Sequence, residues 1–348
     1  MSTKFSSVTS AADGCGKPSS IRPMGNSNSS NMERKEFNML SNRSSISRSC
    51  SLAAALAVAA CVGLAGTPMT AHASIYVGNQ FFNQPGLGTV GEYTNAGATV
   101  NTALITGLSD TGGIAASGSY LYAASFHTSV VGEYTTTGTT VNASLITSLD
   151  GPNGIAVSGS DLFVTNLGAN SVGEFTTSGG TVNASLITGL NNPADIAVSG
   201  SDLFVTNYNG GTVSEYTTAG ALVNASLISG LTNPYGIAVS GTDLFVANLG
   251  ANTIGEYDTS GNVINASLIS GLNNPSDIAV SGSDLFVSNY GNGTVGEYTT
   301  AGGTVNAALI TGLTSPTGIA VTTPEPATLG LVAVGGLGLL LLKRRKAV

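Results

Sequence analysis

The sequence reads DLFVTNLGANSVGEF at residues 161–175, and closely similar segments follow at 202–216, 243–257 and 284–298. Each of these segments begins 41 residues after the previous one. A divergent copy, LYAASFHTSVVGEY, occupies residues 121–134, and an earlier copy with a short insertion precedes it. A spacing this constant indicates an array of duplicated structural units.

Each unit is predicted to contain four short strands. In the unit around residue 250 these are 237–239, 244–246, 253–257 and 263–269. The runs are rich in β-branched and aromatic residues, and the breaks between them are rich in Gly, Asn and Ser. Four antiparallel strands per repeat of ~40 residues are typical of a β-propeller blade.

The number of blades follows from counting strands of each type. First strands begin at six isoleucines, and second strands also begin six times, from Ile75 to Leu285. The array opens on a second strand and ends on the first strand 319–321. Both ends must therefore complete one blade, which removes free sheet edges from the ring. We predict an all-β, six-bladed propeller of four-stranded blades over residues 74–322.

The repeat resembles the NHL repeat. The resemblance is carried by Pro234-Tyr235-Gly236-Ile237-Ala238-Val239, then by Leu244-Phe245-Val246, then by Asn248, and it extends over residues 75–321. The Asp that is usual after the second strand is Asn here, and the usual basic residue of the third strand is absent. The resemblance implies a six-bladed propeller without the basic faces by which some NHL propellers bind RNA.

Charge is distributed unevenly along the chain. All 11 Lys and Arg residues lie in 4–48 or 343–346, whereas 15 acidic residues lie between Glu92 and Glu297. A segment with no basic side chain and a charge near −15 cannot neutralise phosphates, which excludes nucleic-acid binding. The three cysteines all precede residue 62. The repeat array therefore has no disulfide, thiolate metal site or cysteine nucleophile.

Residues 1–73 are predicted to be a signal region. A polar leader is followed by Arg43 and Arg48, an apolar run at 52–66 and the small-x-small site formed by Ala71 and Ala73. This order is typical of a secretory signal cleaved after Ala73. Translation from Met32 or Met39 instead of Met1 would give a signal of more usual length. Lipoprotein processing at Cys61 is the alternative that the sequence leaves open.

Residues 323–348 are predicted to be a sorting tail with a single transmembrane helix. The tail contains Pro324-Glu325-Pro326, sixteen mostly apolar residues at 327–342, and the basic cluster Lys343, Arg344, Arg345 and Lys346. The basic cluster places this end in the cytoplasm.

The order of these three parts resembles the PEP-CTERM sorting signal of Gram-negative bacteria. The resemblance implies recognition by an exosortase-type enzyme, cleavage near the Pro-Glu-Pro motif, and transfer from an inner-membrane-anchored precursor to the cell envelope or extracellular matrix. A permanent single-span anchor is the alternative.

A metal site at the propeller axis is a further hypothesis. NHL propellers resemble gluconolactonase-like enzymes, which bind one divalent metal there. Gly151-Pro152-Asn153-Gly154 is similar to one of their ligand motifs, and Asp195 and Asp277 directly precede first strands. Oxygen ligands would suit Ca²⁺. Alternatively, the two Asp residues only shape strand starts, because other repeats have Gly at that position.

No catalytic residue is predicted from the sequence. The Glu of Gly-Glu-Tyr and the Asn of Asn-Ala-Ser recur at fixed strand positions, and His127 is interpreted as a loop residue. The blades look nearly interchangeable, unlike those of enzymes with unique loops. We therefore expect a non-catalytic structural or binding module, associated with exopolysaccharide or another surface protein. A metal-dependent, lactonase-like or sugar-processing enzyme is the alternative.

Overall fold

The computed structural model describes residues 73–80 and 86–322. The predicted signal region and sorting tail lie outside these residues, except for Ala73. The same holds for Ala71, Pro324, Glu325, Pro326 and the basic cluster 343–346. In the described part of the chain, no helix has the length and apolarity needed to cross a membrane.

The described residues form six four-stranded antiparallel sheets, which are the blades of a propeller. Blade 1 contains β1 (Ser74–Asn79), β2 (Gly88–Thr94), β3 (Thr99–Leu108) and β24 (Pro316–Thr322). Blade 2 contains β4 (Thr111–Ser117), β5 (Tyr120–Ser125), β6 (Val130–Thr135) and β7 (Thr140–Ile146). Blade 3 contains β8 (Pro152–Ser158), β9 (Asp161–Asn166), β10 (Ser171–Thr176) and β11 (Thr181–Thr188).

The three remaining blades follow the same order. Blade 4 contains β12 (Pro193–Ser199), β13 (Asp202–Asn207), β14 (Thr212–Thr217) and β15 (Leu222–Ser229). Blade 5 contains β16 (Pro234–Ser240), β17 (Asp243–Asn248), β18 (Thr253–Asp258) and β19 (Val263–Ile269). Blade 6 contains β20 (Pro275–Ser281), β21 (Asp284–Asn289), β22 (Thr294–Thr299) and β23 (Thr304–Ile310).

Blade 1 is closed by the two ends of the array. Strand β24 pairs with β1 in antiparallel register, with Ile75 opposite Val321 and Val77 opposite Ile319. The predicted closure and the count of six blades are confirmed. The first strands, β4, β8, β12, β16, β20 and β24, contact one another around the axis, so residues at their starts come together.

The core consists of apolar layers between neighbouring blades. Between blades 4 and 5, for example, Phe204 and Val213 of one blade pack with Leu244, Val246 and Tyr257 of the next. The four phenylalanines at this strand position are each about 1% exposed: Phe163, Phe204, Phe245 and Phe286. Burying a side chain of this size stabilises the fold by ~1.5–3 kcal/mol. The repeated Leu-Phe-Val motif therefore holds each blade against its neighbours.

The Asn of Asn-Ala-Ser has a structural role on the outer strands. In blade 2, Asn142 pairs with Glu133 and Ile146 with Val131, so the residues between them bulge outward. Asn142 Oδ1 accepts a hydrogen bond from the backbone N–H of Ser144 at 3.1 Å. The corresponding Asn makes the same contact in the other five blades. Such bulges blunt exposed strand edges.

Candidate functional site

An open cavity of ≈ 460 Å³ lies at the end of the axis where the first strands begin. We call it the funnel. Its rim consists of residues that directly follow second strands, and its floor consists of residues near the starts of first strands. The rim residues are Gln80, Phe126, Leu167, Leu249 and Tyr290, and the floor residues are Gly112, Asn153, Tyr235, Ser276 and Thr317.

The funnel is the place where the repeats differ most in chemistry. The floor position is occupied in turn by Gly, Asn, Ala, Tyr, Ser and Thr, although the Ile-Ala motif two residues later is nearly constant. The rim position is Gln in blade 1, Phe in blade 2, and Leu or Tyr in blades 3 to 6, where the preceding strand varies at only one residue. The repeat therefore sets the backbone and leaves these two rings free to form a specific surface.

Tyr235 and Asn153 close the floor. Their side chains meet across the axis, with Asn153 Nδ2 3.1 Å from the Tyr235 hydroxyl oxygen. The same Nδ2 donates to the carbonyl oxygen of Ala194 at 2.7 Å, which fixes the amide. The ring of Tyr208 packs edge-on against Tyr235, with ring centroids 6.0 Å apart. Burial raises the pKa of Tyr235 to about 12, so this hydroxyl stays protonated.

Asp195 and Asp277 line a small space of ≈ 10 Å³ on the axis, together with Asn153 and Tyr235. The structure thus brings together all three residues that were predicted as metal candidates. The two carboxyl groups hydrogen-bond to each other. Burial raises the pKa of Asp195 to about 6. Burial and then the negative charge of Asp195 raise the pKa of Asp277 well above its usual value. The pair therefore retains a shared proton above the usual range for Asp.

Backbone N–H groups also bind this carboxyl pair. Asp195 Oδ2 accepts from Ile237 N at 2.9 Å, and Asp277 Oδ2 accepts from Ile319 N at 2.9 Å. Asp277 Oδ1 accepts from Ile278 N at 2.8 Å. Each Asp thereby links its own blade to the first strand of the next. A β-carbon on Gly154 would collide with the Asp195 carboxyl group, which explains why Gly is needed beside it.

The donor set does not fit a divalent cation. The carboxyl oxygens already accept hydrogen bonds from backbone N–H groups and from each other. Ca²⁺ takes six to eight oxygen ligands, typically including open carboxylates. Within residues 73–80 and 86–322, no group of three or more His, Cys, Asp or Glu side chains is placed to hold a metal. The axial carboxyl pair is therefore a hydrogen-bonded link between blades, and no metal-dependent reaction is assigned to it.

His127 and Asp110 form a pair beside the funnel. His127 Nε2 lies 2.5 Å from Asp110 Oδ2, and the Asp110 side chain is 2% exposed whereas that of His127 is 49% exposed. Asp110 Oδ1 is buried and has no hydrogen-bond partner among the described residues. His127 does lie in a loop, as predicted, but the loop places it against an acid and on the cavity wall. Blades 3 to 6 have Gly or Asn at the position that corresponds to His127.

We did not predict Tyr235, Ser276, Thr317, Asp110 or the rim residues as site residues from the sequence. The sequence does contain a signal for them: when the repeats are aligned with one another, these residues occupy the most variable positions. The recurring Glu of Gly-Glu-Tyr lies on the third strand of each blade, in agreement with its interpretation as a strand residue. It does not line the funnel.

Comparisons with solved structures show the same fold at low sequence identity. A nidogen/laminin complex matches with a TM-score of 0.63 and 16% identity, covering 73% of this chain and 100% of that chain. A streptogramin B lyase structure matches with a TM-score of 0.52 and 18% identity, covering 70% and 91%. A gluconolactonase from Xanthomonas campestris matches with a TM-score of 0.52 and 16% identity, covering 62% and 84%.

Another similar structure is a catalytically inactive virginiamycin B lyase from Staphylococcus aureus with quinupristin. It has a TM-score of 0.53 and 16% identity, covering 72% of this chain and 96% of that chain. No curated protein sequence matches the chain significantly.

Two family profiles match the chain. The PEP-CTERM protein-sorting motif matches residues 322–346, which confirms the predicted sorting signal and indicates export and sorting to the cell surface. The profile of the virginiamycin B lyase family matches residues 71–331, three quarters of the sequence. The chain belongs to the virginiamycin B lyase family.

Proposed function

We propose that this protein is a binding module of the cell envelope and that its ligand occupies the funnel. The proposal rests on one observation: the residues that line a single cavity differ from repeat to repeat. Scaffold positions are nearly identical from blade to blade, so the funnel differs for a reason other than folding. At ≈ 460 Å³ the cavity also falls within the ~300–1,000 Å³ of typical small-molecule sites.

The lining indicates the chemistry of the ligand. The wall is apolar and aromatic, because it contains Phe126, Leu167, Leu249 and Tyr290. On the floor, Thr317 donates its hydroxyl proton to the Thr111 carbonyl of the next blade, so its oxygen remains available as an acceptor. Asp110 Oδ1 adds a further acceptor without a partner among the described residues. The funnel therefore suits an amphipathic, ring-containing molecule that donates hydrogen bonds and carries no negative charge.

The sorting motif supports a location at the envelope. We propose that an exosortase-type enzyme processes an inner-membrane-anchored precursor and releases the propeller into the exopolysaccharide matrix. Mass spectrometry of protein from the native host should then find an N-terminus near Ser74 and no peptide containing Lys343–Lys346. Recovery of the intact basic tail from surface material would favour a permanent anchor instead.

Ligand-induced stabilisation tests the function of the funnel. The full chain in detergent is screened by thermal shift against a library of amphipathic heterocycles, each of which has at least two hydrogen-bond donors. Compounds that stabilise the wild type should no longer stabilise Leu249→Asp, which adds a charge to the rim. Val182→Asp is the matched control, because Val182 is an exposed apolar residue on the outer strand of blade 3. Equal stabilisation of both variants, or no hits at all, would refute the proposal.

Proton transfer is the second candidate function, and the His127–Asp110 pair favours it. A buried carboxylate in contact with an imidazole can hold the ring in the orientation that a general base requires. Similar folds include a lyase and a gluconolactonase. A binding module should turn over neither quinupristin nor simple lactones, with or without divalent metals. Turnover that is lost in His127→Asn would replace the binding module with an enzyme.

A further inference from the structure

We infer a second binding site, for a neutral saccharide chain, on the face opposite the funnel. The site is the interblade groove between blades 2 and 3, an open depression of ≈ 590 Å³. Blade 2 contributes Tyr120, Tyr122, Glu133 and Asn142, and the hairpin turns of blade 3 contribute Thr177 and Ser178. The inference rests on the proposed function only for the envelope location, where saccharides are available. The funnel is not involved.

Strand register places the key side chains in one row. Tyr122 lies directly opposite Glu133 on the neighbouring strand, and Glu133 lies opposite Asn142 on the next. Tyr120 precedes Tyr122 by two residues on β5, so both side chains point to the same face of the sheet. Tyr122, Glu133 and Asn142 therefore lie side by side at the spacing of adjacent strands, ~4.8 Å, and the exposed ring of Tyr120 lies on the same face next to Tyr122.

Among the six described blades, only blade 2 has Tyr at the position of Tyr120, where blade 1 has Ser74. Blades 3 to 6 have Asp at the position of Tyr120 and Phe at the position of Tyr122. In those blades the Asp lies near the conserved Glu, and the pKa of each such Glu is raised by burial and by the nearby Asp charge. Blade 2 replaces one member of an acidic pair with a tyrosine that is 41% exposed. Tyr120 belongs to none of the apolar clusters between the described blades.

The hydrogen-bonding groups in the groove match a saccharide. The Tyr122 hydroxyl interacts with Thr177 of blade 3 and with Glu133, which fixes the floor of the groove. Asn142 Oδ1 is used by its own strand, but the described hydrogen bonds leave its amide N–H groups unused. Glu133 can accept from sugar hydroxyls, and the ring of Tyr120 offers an apolar face for the C–H face of a pyranose.

Charge argues against the other ligand classes. Anionic polymers are disfavoured by Glu133 and by a described domain that contains no Lys or Arg. A cation would find two carboxylates in the corresponding position of blades 3 to 6 and only one in blade 2. The replacement in blade 2 therefore selects for a ligand that stacks and donates hydrogen bonds, which a neutral sugar does.

Substitutions that restore the array's own consensus test the site without endangering the fold. The full chain in detergent is titrated with gluco-, manno- and galacto-hexaoses, and with hexalysine as a cationic probe, by isothermal titration calorimetry. At least one neutral hexaose should bind, and Tyr120→Asp should weaken its affinity about tenfold. Tyr120→Phe should stay within about threefold of the wild type, because the stacking surface is retained.

The outcomes separate this site from the funnel. Failure of all three hexaoses to bind would overturn the inference, as would unchanged affinity in Tyr120→Asp. Tyr120-dependent binding of hexalysine without hexaose binding would show a cation site instead. Leu249→Asp, at the funnel rim, should leave hexaose binding unchanged. Loss of hexaose binding in Leu249→Asp but not in Tyr120→Asp would place the saccharide in the funnel and refute the groove.

Discussion

Blade 2 and blades 3 to 6 have the same strand register but different side-chain chemistry. In blade 3, Phe163 lies opposite Glu174, and in blade 2, Tyr122 lies opposite Glu133 in the same way. Yet blade 2 alone contributes His127 to the funnel and Tyr120 to the interblade groove. The comparison shows that a few apolar positions and turns determine the backbone. Residues that differ from the repeat consensus lie at the candidate sites.

Removing residues 318–321 should have the largest effect, because it breaks the scaffold that all blades share. These residues form most of β24, which pairs with β1 and closes blade 1. The deletion would expose an apolar edge, and we expect loss of cooperative unfolding and aggregation. Circular dichroism melting and light scattering measure both. A deletion of four residues from the sorting tail, 327–330, is the control, and equal melting of both chains would show that closure is wrong.

Truncating a core residue that recurs in the blades should lower the unfolding free energy more than changing a residue that differs from the repeat. Phe204→Ala removes a ring that is 1% exposed and packs against blade 5, so we expect a loss of ~3–5 kcal/mol in unfolding free energy. Tyr120→Asp restores the array consensus at an exposed position and should change stability by less than ~0.5 kcal/mol. Urea denaturation compares the two. Similar losses would contradict the division between scaffold and sites.

The axial carboxyl pair should make stability depend on pH. The folded-state pKa of Asp195 is about 6 and that of Asp277 is also raised, whereas both should be near ~3.9 in the unfolded chain. The folded state thus binds protons more tightly, and its stability is greatest near pH 4 and falls as pH rises through about 6. The raised pKa values of Glu174, Glu215, Glu256 and Glu297 act in the same direction.

Asp195→Asn tests whether the axial carboxyl pair causes this dependence of stability on pH. An amide remains neutral and can donate to Asp277, so melting temperature should vary less between pH 4 and pH 8 than in the wild type. Asp150→Asn is the control, because Asp150 is exposed and lies outside the axial pair. A slope in Asp195→Asn as steep as in the control would assign the pH dependence to surface charge alone.

Calcium should have the smallest effect. A described domain with a charge near −15 is destabilised by self-repulsion, and any cation screens it. Millimolar CaCl₂ should therefore raise the melting temperature only as far as NaCl at equal ionic strength. If CaCl₂ raises the melting temperature clearly more than NaCl does, and Asp195→Ala or Asp277→Ala abolishes the difference, the axis contains a specific Ca²⁺ site. That result would contradict the conclusion that the axial oxygen atoms do not suit a divalent cation.

Much of the fold could be predicted from the sequence, because the 41-residue spacing and the alternation of strand residues determine blade number and closure locally. The predicted strands are shorter than the observed ones: residues 237–239 belong to β16, which spans Pro234–Ser240. The extension includes Pro234 and Tyr235, which lack the apolar β-branched pattern. They are held as strand by the ring of neighbouring first strands, and propensity does not report such tertiary contacts.

The site was predicted only in part. Asn153, Asp195 and Asp277 could be placed at the axis from their strand positions. The bond between the two Asp carboxyl groups, and that of Asn153 with Tyr235, depend on distances across the ring. The pairing of His127 with Asp110, 17 positions earlier, depends on two turns whose geometry the sequence does not specify. The apparent interchangeability of the blades holds for the core and fails at the rim and floor of the funnel, where side chains do not pack into the scaffold.

A consensus version of blade 2 separates scaffold residues from binding residues in one experiment. The full chain carrying Asp110→Asn, Tyr120→Asp, Tyr122→Phe and His127→Gly has at these positions residues that occur in other blades. Its melting temperature and its binding of funnel compounds and neutral hexaoses are measured together by calorimetry. Our account predicts a melting temperature equal to or above that of the wild type, with weakened binding at both sites. A marked fall in melting temperature with both binding activities retained would contradict it.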